Sequence, residues 1–228
     1  MNQGFSGSQV TRTADVVVKK TSDIGFVLDS SRHSALQRLS QQQPFLPTIY
    51  DISGDELKME YIPGEEGLSL QNARKVGSAL KRLHNLKEYP FPVFTGIEWL
   101  HELAEQALTA YDREAEWLPP PSVDPDDLAL IHTEPVQIIT RADGTVVFID
   151  IEGIGMGSKY QDLGFIYYTA AHTGKSGLFD EVLLGYGSAG VNLTMVAQMA
   201  GLISIAYSTF ADSKARIDLG LRLLRSVQ

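Results

Sequence analysis

Cysteine is absent from this chain of 228 residues. The protein therefore forms neither disulfide bonds nor zinc sites built from thiolates, and such a composition is typical of the cytoplasm, which we predict as its location. Basic residues are also scarce, because 19 Lys and Arg stand against 28 Asp and Glu, for a net charge of −9. An acidic surface repels phosphate backbones, so no nucleic-acid partner is expected.

Long apolar runs are missing as well. The longest covers residues 195–211 and is interrupted by Gln198, Ser204 and Ser208. It is too short and too polar for a membrane span, and we predict a buried helix there. The start of the chain is polar and lacks the apolar centre of a signal peptide. No membrane contact is expected.

The first part of the chain has the pattern of a small β-rich unit. The Val-Val-Val-Lys run at 16–19 predicts a strand. Residues 48–52 and 57–61 predict two further strands, joined by a Ser-Gly-Asp turn. Between these and the first strand, a serine cap and apolar spacing predict a helix over residues 30–38.

The remainder of the chain is predicted to be mainly helical. An Ile-Pro-Gly-Glu-Glu-Gly segment at 62–67 interrupts every regular pattern. We place a boundary there, between a β-rich unit at 1–62 and a helical unit at 63–228. Apolar residues at helical spacing predict amphipathic helices over 69–86 and 97–117, and the end of the chain is also mostly helical. The pattern predicts an α+β protein of two lobes with a cleft between them.

The segment at 130–150 holds the residues with the clearest chemical meaning. It has the pattern of a polar loop between two strands, followed by a hairpin with an Asp-Gly turn. This arrangement can bring Glu134, Gln137 and Asp150 into one cleft. One group that orients a hydroxyl and two that hold a metal ion are the parts of a phosphoryl-transfer site.

Four segments, taken in order, resemble the aminoglycoside phosphotransferase and choline kinase families of the protein-kinase-like superfamily. Residues 76–84 resemble the helix before the catalytic loop, and Leu-Ile-His-Thr-Glu at 130–134 resembles the family's His-Gly-Asp sequence. Phe-Ile-Asp-Ile-Glu at 148–152 is similar to the strand that ends in a metal-binding Asp, and residues 160–164 to a Tyr-Asp-Leu-Ala segment. The resemblance covers nearly the whole chain. It implies a two-lobed protein-kinase-like fold with a small β-rich N-terminal lobe and a larger, mainly helical C-terminal lobe.

The same resemblance implies an ATP-dependent phosphotransferase that moves the γ-phosphoryl group to a hydroxyl of a small molecule. The cofactors would be ATP, or another nucleoside triphosphate, and Mg²⁺. Glu134 would orient the acceptor hydroxyl, and His132 would brace the catalytic loop rather than act as a base. Gln137 and Asp150 would bind Mg²⁺, with Glu152 as a further metal ligand.

The residues that the resemblance places around the nucleotide all belong to the first unit: Lys19, Val17, Gly7, Ser8, Glu60 and Tyr61. The lysine would pair with the phosphates, with Lys20 as the alternative, and the valine on the same strand face would line the adenine pocket. The glycine and serine would cover the phosphates, and the last two residues would offer backbone hydrogen bonds to adenine. Asp162 would hold the catalytic loop by hydrogen bonds.

The sequence departs from the family pattern at several of these positions. Glu134 replaces an Asp, which moves the carboxylate by about 1.5 Å. Two residues separate it from Gln137, where the kinase pattern has about four. An unshortened alignment would put Ile139, which cannot bind a metal ion, at the metal-binding Asn. The helix that should pair a Glu with Lys19 has no acidic residue over 30–43, and the glycine-rich loop begins so early that the first strand is short or missing.

These departures leave two functions open. The first is an active small-molecule kinase. The second is a catalytically impaired, pseudokinase-like binding or scaffold protein, for which a protein partner is possible. Glu65 and Glu66, beyond the boundary, either attract a cationic acceptor or belong to a solvated loop.

Overall fold

A computed structural model of the protein describes most of the chain, namely residues 9–20, 30–86, 91, 96–114, 118, 124–211 and 213–227. Within this part, nine strands in three small antiparallel sheets all lie before residue 159, interspersed with three α-helices, and the chain beyond that point is mainly helical. The predicted α+β class is confirmed.

The front sheet has four strands: β1 (Gln9–Thr13), β2 (Val16–Lys20), β3 (Ile49–Ser53) and β4 (Glu56–Glu60). They are antiparallel, in the order β1-β2-β4-β3. Three of them were predicted, and the first strand, expected to be short or missing, has five residues. Val17 lies opposite Met59 and Lys19 opposite Leu57. The period of a strand therefore puts Val17 and Lys19 on one face of the sheet.

Helix α1 (Ser30–Gln42) packs on this sheet. It continues beyond residue 38, where the sequence predicted its end, because apolar residues at helical spacing remain buried as far as Leu39. Ser40 Oγ then accepts a hydrogen bond of 3.1 Å from the backbone N–H of Ile49. This bond connects the last turn of the helix to the start of β3.

Five short strands follow: β5 (Glu65–Glu66), β6 (Leu128–Ile131), β7 (Ile138–Thr140), β8 (Val146–Phe148) and β9 (Gly155–Ser158). They form two small antiparallel sheets, one in the order β5-β7-β8 and the other of β6 with β9. The predicted hairpin is β7–β8, and Gly144 in its turn has φ of 80°. Such a φ explains the Asp-Gly sequence, since glycine adopts it without strain.

The expectation that residues 62–67 lack regular structure is wrong for Glu65 and Glu66. These two residues pair with Thr140 and Ile139 of β7. Gly64 allows the close approach, because a Cβ there would lie 2.7 Å from the side chain of Ile139. The segment that follows the front sheet is thus fixed to the β7–β8 hairpin of the C-terminal lobe, or back lobe.

The helices of the back lobe are α2 (Ala73–His84), α3 (Gly96–Ala110), α4 (Lys159–Thr173), α5 (Leu178–Tyr186), α6 (Leu193–Ala206), α7 (Ser208–Ala211) and α8 (Lys214–Arg225). Helix α2 packs on α5, and α6 packs on α3, α4 and α8. The helix predicted over 97–117 ends earlier, at Ala110, and Asp112 beyond it has φ of 51°, which no α-helix contains. Residues 115–117 of that prediction lie outside the described part of the chain.

Glycines bring α2 and α5 into direct backbone contact. A Cβ on Gly77 would lie 2.8 Å from the backbone N of Tyr186, and one on Gly185 would lie 2.7 Å from the backbone carbonyl carbon of Arg74. Ser78 Oγ also donates a hydrogen bond of 3.1 Å to the Gly185 carbonyl. This contact fixes the position of α2, the helix whose last residue is His84.

Helices α6 and α7 contain the apolar run noted in the sequence. Among the described residues, Leu193–Ala211 is the segment with the length and composition of a membrane span. Of its 18-residue apolar stretch, 61% is buried within the protein. Core helices of soluble proteins have the same properties. Leu202 and Ile205 are fully buried, in agreement with the predicted buried helix.

The main core is continuous from the front sheet to the back lobe. It joins Leu36 and Leu57 to Leu80, Phe148 and Leu163. The backbone N–H of Phe148 also donates to the carbonyl of Phe45 at 2.9 Å. A smaller cluster of Ile62, Ile139 and Val147 lies beside it. The division into units at 1–62 and 63–228 stays a prediction.

Candidate functional site

A buried carboxylate fixes the start of the loop that follows β6. Asp162 lies in the first turn of α4 and is fully buried. Its oxygens accept hydrogen bonds from the backbone N–H groups of His132, at 2.8 Å, and Thr133, at 2.7 Å. His84 Nε2 lies 3.0 Å from the same carboxylate, and its Nδ1 lies 2.8 Å from the hydroxyl of Tyr186. The hydrogen bonds predicted for Asp162 are present.

His132 lies inside the protein. Its ring is fully buried and lies 5.2 Å, between centroids, from the ring of Phe148. Burial lowers the pKa of His132, and the nearby carboxylates of Asp162 and Asp150 do not offset this effect. A neutral ring without access to solvent cannot exchange protons with a substrate. The position does not suit a base, and the predicted brace stays a prediction.

Two residues of the site have left-handed backbone conformations. Thr133 has φ of 79° and Asp150 has φ of 62°. Asp tolerates this region, but a β-branched residue is strained there. Thr133 stands where the family that this sequence resembles has glycine, so it adopts a glycine conformation at a cost in strain of about 1–3 kcal/mol.

Lys19 reaches from β2 to two carboxylates at the end of β8. Its Nζ makes an ion pair with Asp150 and lies 2.7 Å from Oε1 of Glu152. Burial lowers the pKa of Lys19, but Glu152 and Asp150 outweigh burial and raise the pKa above its ordinary value. The predicted lysine therefore meets the predicted metal-binding Asp.

Glu134 lies close enough to Asp150 and Lys19 for both charges to act on its carboxylate. Burial raises the pKa of Glu134, and the negative charge of Asp150 adds to the increase, while Tyr207, Lys19 and Gln137 oppose it. The hydroxyl of Tyr207 donates a hydrogen bond to Oε1 of Glu134. Side chains at 19, 134 and 150, far apart in the sequence, thus lie within electrostatic reach of one another.

The shortened loop closes as a β-turn. The N–H of Gln137 donates to the carbonyl of Glu134 at 3.0 Å, which leaves Pro135 at the second position, where its fixed φ suits the turn. The N–H of Ile149 then donates to the carbonyl of Gln137 at 2.9 Å, beside Asp150. Ile139, the other alignment for the metal-binding amide, is buried in the small cluster with Ile62. The role of Gln137 as the metal-binding amide stays a prediction.

Tyr207 is the site residue that sequence reasoning missed. It is the C-terminal cap of α6, and its carbonyl accepts a hydrogen bond of 3.0 Å from Nη1 of Arg216. Its ring lies edge-on to Phe165, at 5.4 Å between centroids. Burial and the adjacent Glu134 raise its pKa, so the hydroxyl stays a donor. In the sequence it is one residue of an apolar run, with no signal that singles it out.

The residues predicted around adenine have mixed positions. Val17 packs against the main core on the same face as Lys19. The N–H of Glu60 donates to Thr48 O, and the N–H of Tyr61 donates to Asp15 O, both at 2.8 Å. These two donors already have partners within the protein. Gly7 and Ser8 lie outside the described residues.

The side chain of Glu60 joins the front sheet to the back lobe. Its Oε1 accepts a hydrogen bond of 2.7 Å from Arg141 and its Oε2 one of 3.2 Å from the backbone N–H of Thr48. Burial raises the pKa of Glu60, but these hydrogen bonds and the charge of Arg141 outweigh it and lower the pKa. The ring of Tyr61, next in sequence, lies under the guanidinium of Arg12 at 3.4 Å.

The oxygen donors in the site suit a magnesium ion only in part. Within the described residues, no group of three or more His, Asp or Glu side chains is arranged to hold a metal ion. Mg²⁺, however, commonly takes one or two carboxylates and completes its shell with phosphates and water. Asp150, whose side chain is 41% exposed, fits that requirement, and the backbone carbonyl of Gln137 is bonded to Ile149, the residue before Asp150. Glu152 is buried against Lys19.

The solved structures that superpose on this chain include choline kinases and aminoglycoside phosphotransferases. No family model and no curated protein matches the sequence. A choline kinase, LicA, from Streptococcus pneumoniae superposes with a TM-score of 0.67 at 15% identity, over 96% of this chain and 89% of that one. A choline/ethanolamine kinase family protein from Mesorhizobium loti gives 0.65 at 14% identity, over 96% and 84%.

An aminoglycoside phosphotransferase from Streptomyces rimosus gives a TM-score of 0.59 at 16% identity, over 89% of this chain and 93% of that one. At sequence identities this low, the superpositions show a shared fold and not a shared activity. The resemblance to choline kinases and aminoglycoside phosphotransferases, drawn from four short segments, is confirmed at that level, and so is the protein-kinase-like fold.

Proposed function

We propose that this protein, which has the fold of small-molecule kinases, transfers the γ-phosphoryl group of ATP, or of another nucleoside triphosphate, to a hydroxyl of a small molecule. One observation carries the proposal. Lys19 from β2, Glu134 from the loop after β6 and Asp150 from the end of β8 meet at one place. A cation for phosphate, a carboxylate for the acceptor and a carboxylate for a metal ion are the groups that phosphoryl transfer needs.

The charged residues would divide the work of binding and positioning. Lys19 would exchange its contact with Asp150 for a contact with the nucleotide phosphates. Asp150 and Gln137 would then hold Mg²⁺, which when bound neutralises charge on the phosphates. Val17 would line the adenine pocket, and Gly7 and Ser8 would cover the phosphates. The cytoplasm, where nucleotide and Mg²⁺ are available, stays the predicted location.

Glu134 would orient the acceptor hydroxyl and accept its proton. A base works best when its pKa lies near the working pH, and burial raises the pKa of Glu134 in that direction. The β-turn at Pro135 and the hydrogen bond from Tyr207 both restrict the longer side chain of Glu134. These contacts supply the restraint that a glutamate needs in place of an aspartate.

A binding protein of the same fold without turnover is the second candidate. The observation that favours it is the closed network at the site. The N–H groups of Glu60 and Tyr61 are taken by the protein, and Lys19 is paired with Asp150. A protein partner, rather than a small acceptor, would then be the ligand.

The test begins with nucleotide binding. Thermal unfolding is measured with ATP, GTP and ADP, with and without Mg²⁺, for the natural protein and for Asp150→Ala. We expect stabilisation by at least one nucleotide and loss of its Mg²⁺-dependent part in the variant. Asp51→Ala, which changes an exposed strand residue, serves as the control. If none of the three nucleotides stabilises the natural protein, the proposal is contradicted.

Turnover is then measured on a panel of amino alcohols and aminoglycosides. Phosphate transfer that depends on Glu134, tested with Glu134→Ala, supports the kinase. Nucleotide binding without transfer to any acceptor, unchanged by Glu134→Ala, supports the binding protein.

A further inference from the structure

The first helix lacks the residue that should hold Lys19. In the fold that this chain adopts, an acidic residue of α1 was expected to pair with the nucleotide-binding lysine. Residues 30–43 contain none. A lysine that must meet phosphates without such a partner needs another group to hold it.

Glu152 brings a carboxylate to Lys19 from another element. Its Oε1 lies 2.7 Å from Nζ of Lys19, and the two side chains are 10% and 12% exposed. Asp150, the other carboxylate in contact with Lys19, is 41% exposed. The buried pair is therefore Lys19 with Glu152, and Asp150 is the carboxylate that faces the solvent.

The backbone around Glu152 is fixed by the helix that lacks the acid. Ile151–Gly153 form a single 3-10 turn, in which the N–H of Ile154 donates to Ile151 O at 3.1 Å. Nη2 of Arg32, from α1, donates to the carbonyls of Glu152 and Ile154, both at 3.0 Å. Helix α1 thus holds the turn that presents Glu152, instead of presenting an acid itself.

A second carboxylate at Lys19 has a consequence for Asp150. A buried ammonium needs a negative partner, because an unpaired buried charge is costly. With Glu152 in that place, Lys19 stays neutralised when Asp150 turns to a metal ion. Without Glu152, Lys19 and the metal would compete for Asp150.

We propose that Glu152 is a positioning residue for Lys19, in place of the missing acid of α1, and not a ligand of the metal ion. The proposal rests on the proposed nucleotide binding, and it replaces the metal-ligand role that the sequence suggested for Glu152. In this proposal, Asp150 and Gln137 bind the metal ion. Lys19, held by its ion pair with Glu152, binds the phosphates.

The experiment separates the two roles of Glu152 through the metal. Binding of ADP without Mg²⁺, and the Mg²⁺ concentration that half-saturates the ADP complex, are measured for Glu152→Gln. Glu105→Gln, on an exposed part of α3, is the matched control. We expect Glu152→Gln to weaken Mg²⁺-free ADP binding on the order of tenfold to a hundredfold, the usual cost of losing a group that orients a ligand. The half-saturating Mg²⁺ concentration should stay the same.

A double-mutant cycle tests whether the effect passes through Lys19. In Lys19→Met, the further change Glu152→Gln should have no additional effect on Mg²⁺-free ADP binding. The double variant should also unfold at a higher temperature than Lys19→Met, because that single change leaves the buried carboxylate of Glu152 without its cation. If Glu152→Gln does not fold, Glu152→Asp takes its place in the cycle.

Three results are distinguishable. If the natural protein binds no nucleotide, the proposed function fails. If it binds ADP and Glu152→Gln only raises the Mg²⁺ requirement, Glu152 is a metal ligand and the inference is overturned. If the effects of Lys19→Met and Glu152→Gln simply add, Glu152 does not act through Lys19.

Discussion

Glu134 shows how one residue can depart from a pattern and still be placed for use. Its extra methylene displaces the carboxylate by about 1.5 Å relative to an aspartate, and a displacement of about 1 Å can cost on the order of a hundredfold in rate. Tyr207 and the turn at Pro135 hold the longer side chain in one position. The neighbours of Glu134, more than its identity, decide whether it can serve.

We predict that Tyr207→Phe lowers kcat on the order of tenfold to a hundredfold and leaves the KM for nucleotide unchanged, because the hydroxyl restrains only Glu134. The Tyr207 hydrogen bond lowers the pKa of Glu134. Its loss raises that pKa further, so the acid limb of the pH–rate profile should move to higher pH. Tyr168→Phe, in the same aromatic cluster, is the control. If the pH–rate profile of Tyr207→Phe is unchanged, Tyr207 does not act on Glu134.

Thr133 offers a test of strain. Thr133→Gly should stabilise the protein by about 1 kcal/mol, because relief of about 1–3 kcal/mol of strain exceeds the entropy of glycine, about 0.5–1 kcal/mol. Thr133→Ala keeps a Cβ at the same positive φ and should give no such gain. Denaturant unfolding measures both. Equal effects of the two changes would show that φ is not the cause.

Elements with a clear period were predictable, and those set by partners were not. The valines of β2 and the apolar stripe of α2 predicted a strand and a helix correctly. The strand at Glu65 and Glu66 depends on pairing with β7, and two acidic residues carry no local signal for it. The early end of α3 was missed because apolar spacing alone does not define a helix end.

The contact between α2 and α5 should tolerate no larger residue. Gly185→Ala would force a methyl group against the backbone of Arg74, and we expect a loss of stability of about 1–3 kcal/mol or more. Since α2 presents His84 to Asp162, nucleotide-dependent stabilisation should weaken as well. Leu184→Ala, at an exposed position of α5, is the control. A fully stable Gly185→Ala would mean that the helices can separate without cost.

At the scale of the whole molecule, the two lobes share one core and are not expected to fold independently. Leu57 of the front sheet and Phe148 of the back lobe belong to one apolar cluster, and Phe45 and Phe148 share a backbone hydrogen bond. We predict that a fragment of residues 63–228 lacks cooperative unfolding, because its half of the core is uncovered. Circular dichroism during heating measures this. A sharp transition in the fragment would support the division as two separate domains.

The candidate site was predictable where sequence order alone carries information. Lys19, Glu134, Gln137 and Asp150 follow one another at spacings that a family resemblance can recognise, and the fold brings them together. The contacts of Glu152 with Lys19 and of Tyr207 with Glu134 depend on how distant elements pack. No spacing in the chain encodes such contacts, so they become visible only in the folded structure.

Asp162 also bears on how this sequence came to differ so much from its structural neighbours. The carboxylate anchors the beginning of the loop at His132 and Thr133, and it does so from inside the protein. Residues further along the loop can then be exchanged or deleted while its origin stays in register. A fold with such an internal hydrogen-bonded anchor can lose its recognisable sequence motifs long before it loses their geometry. For chains of this kind, structure comparison is therefore more informative than sequence comparison.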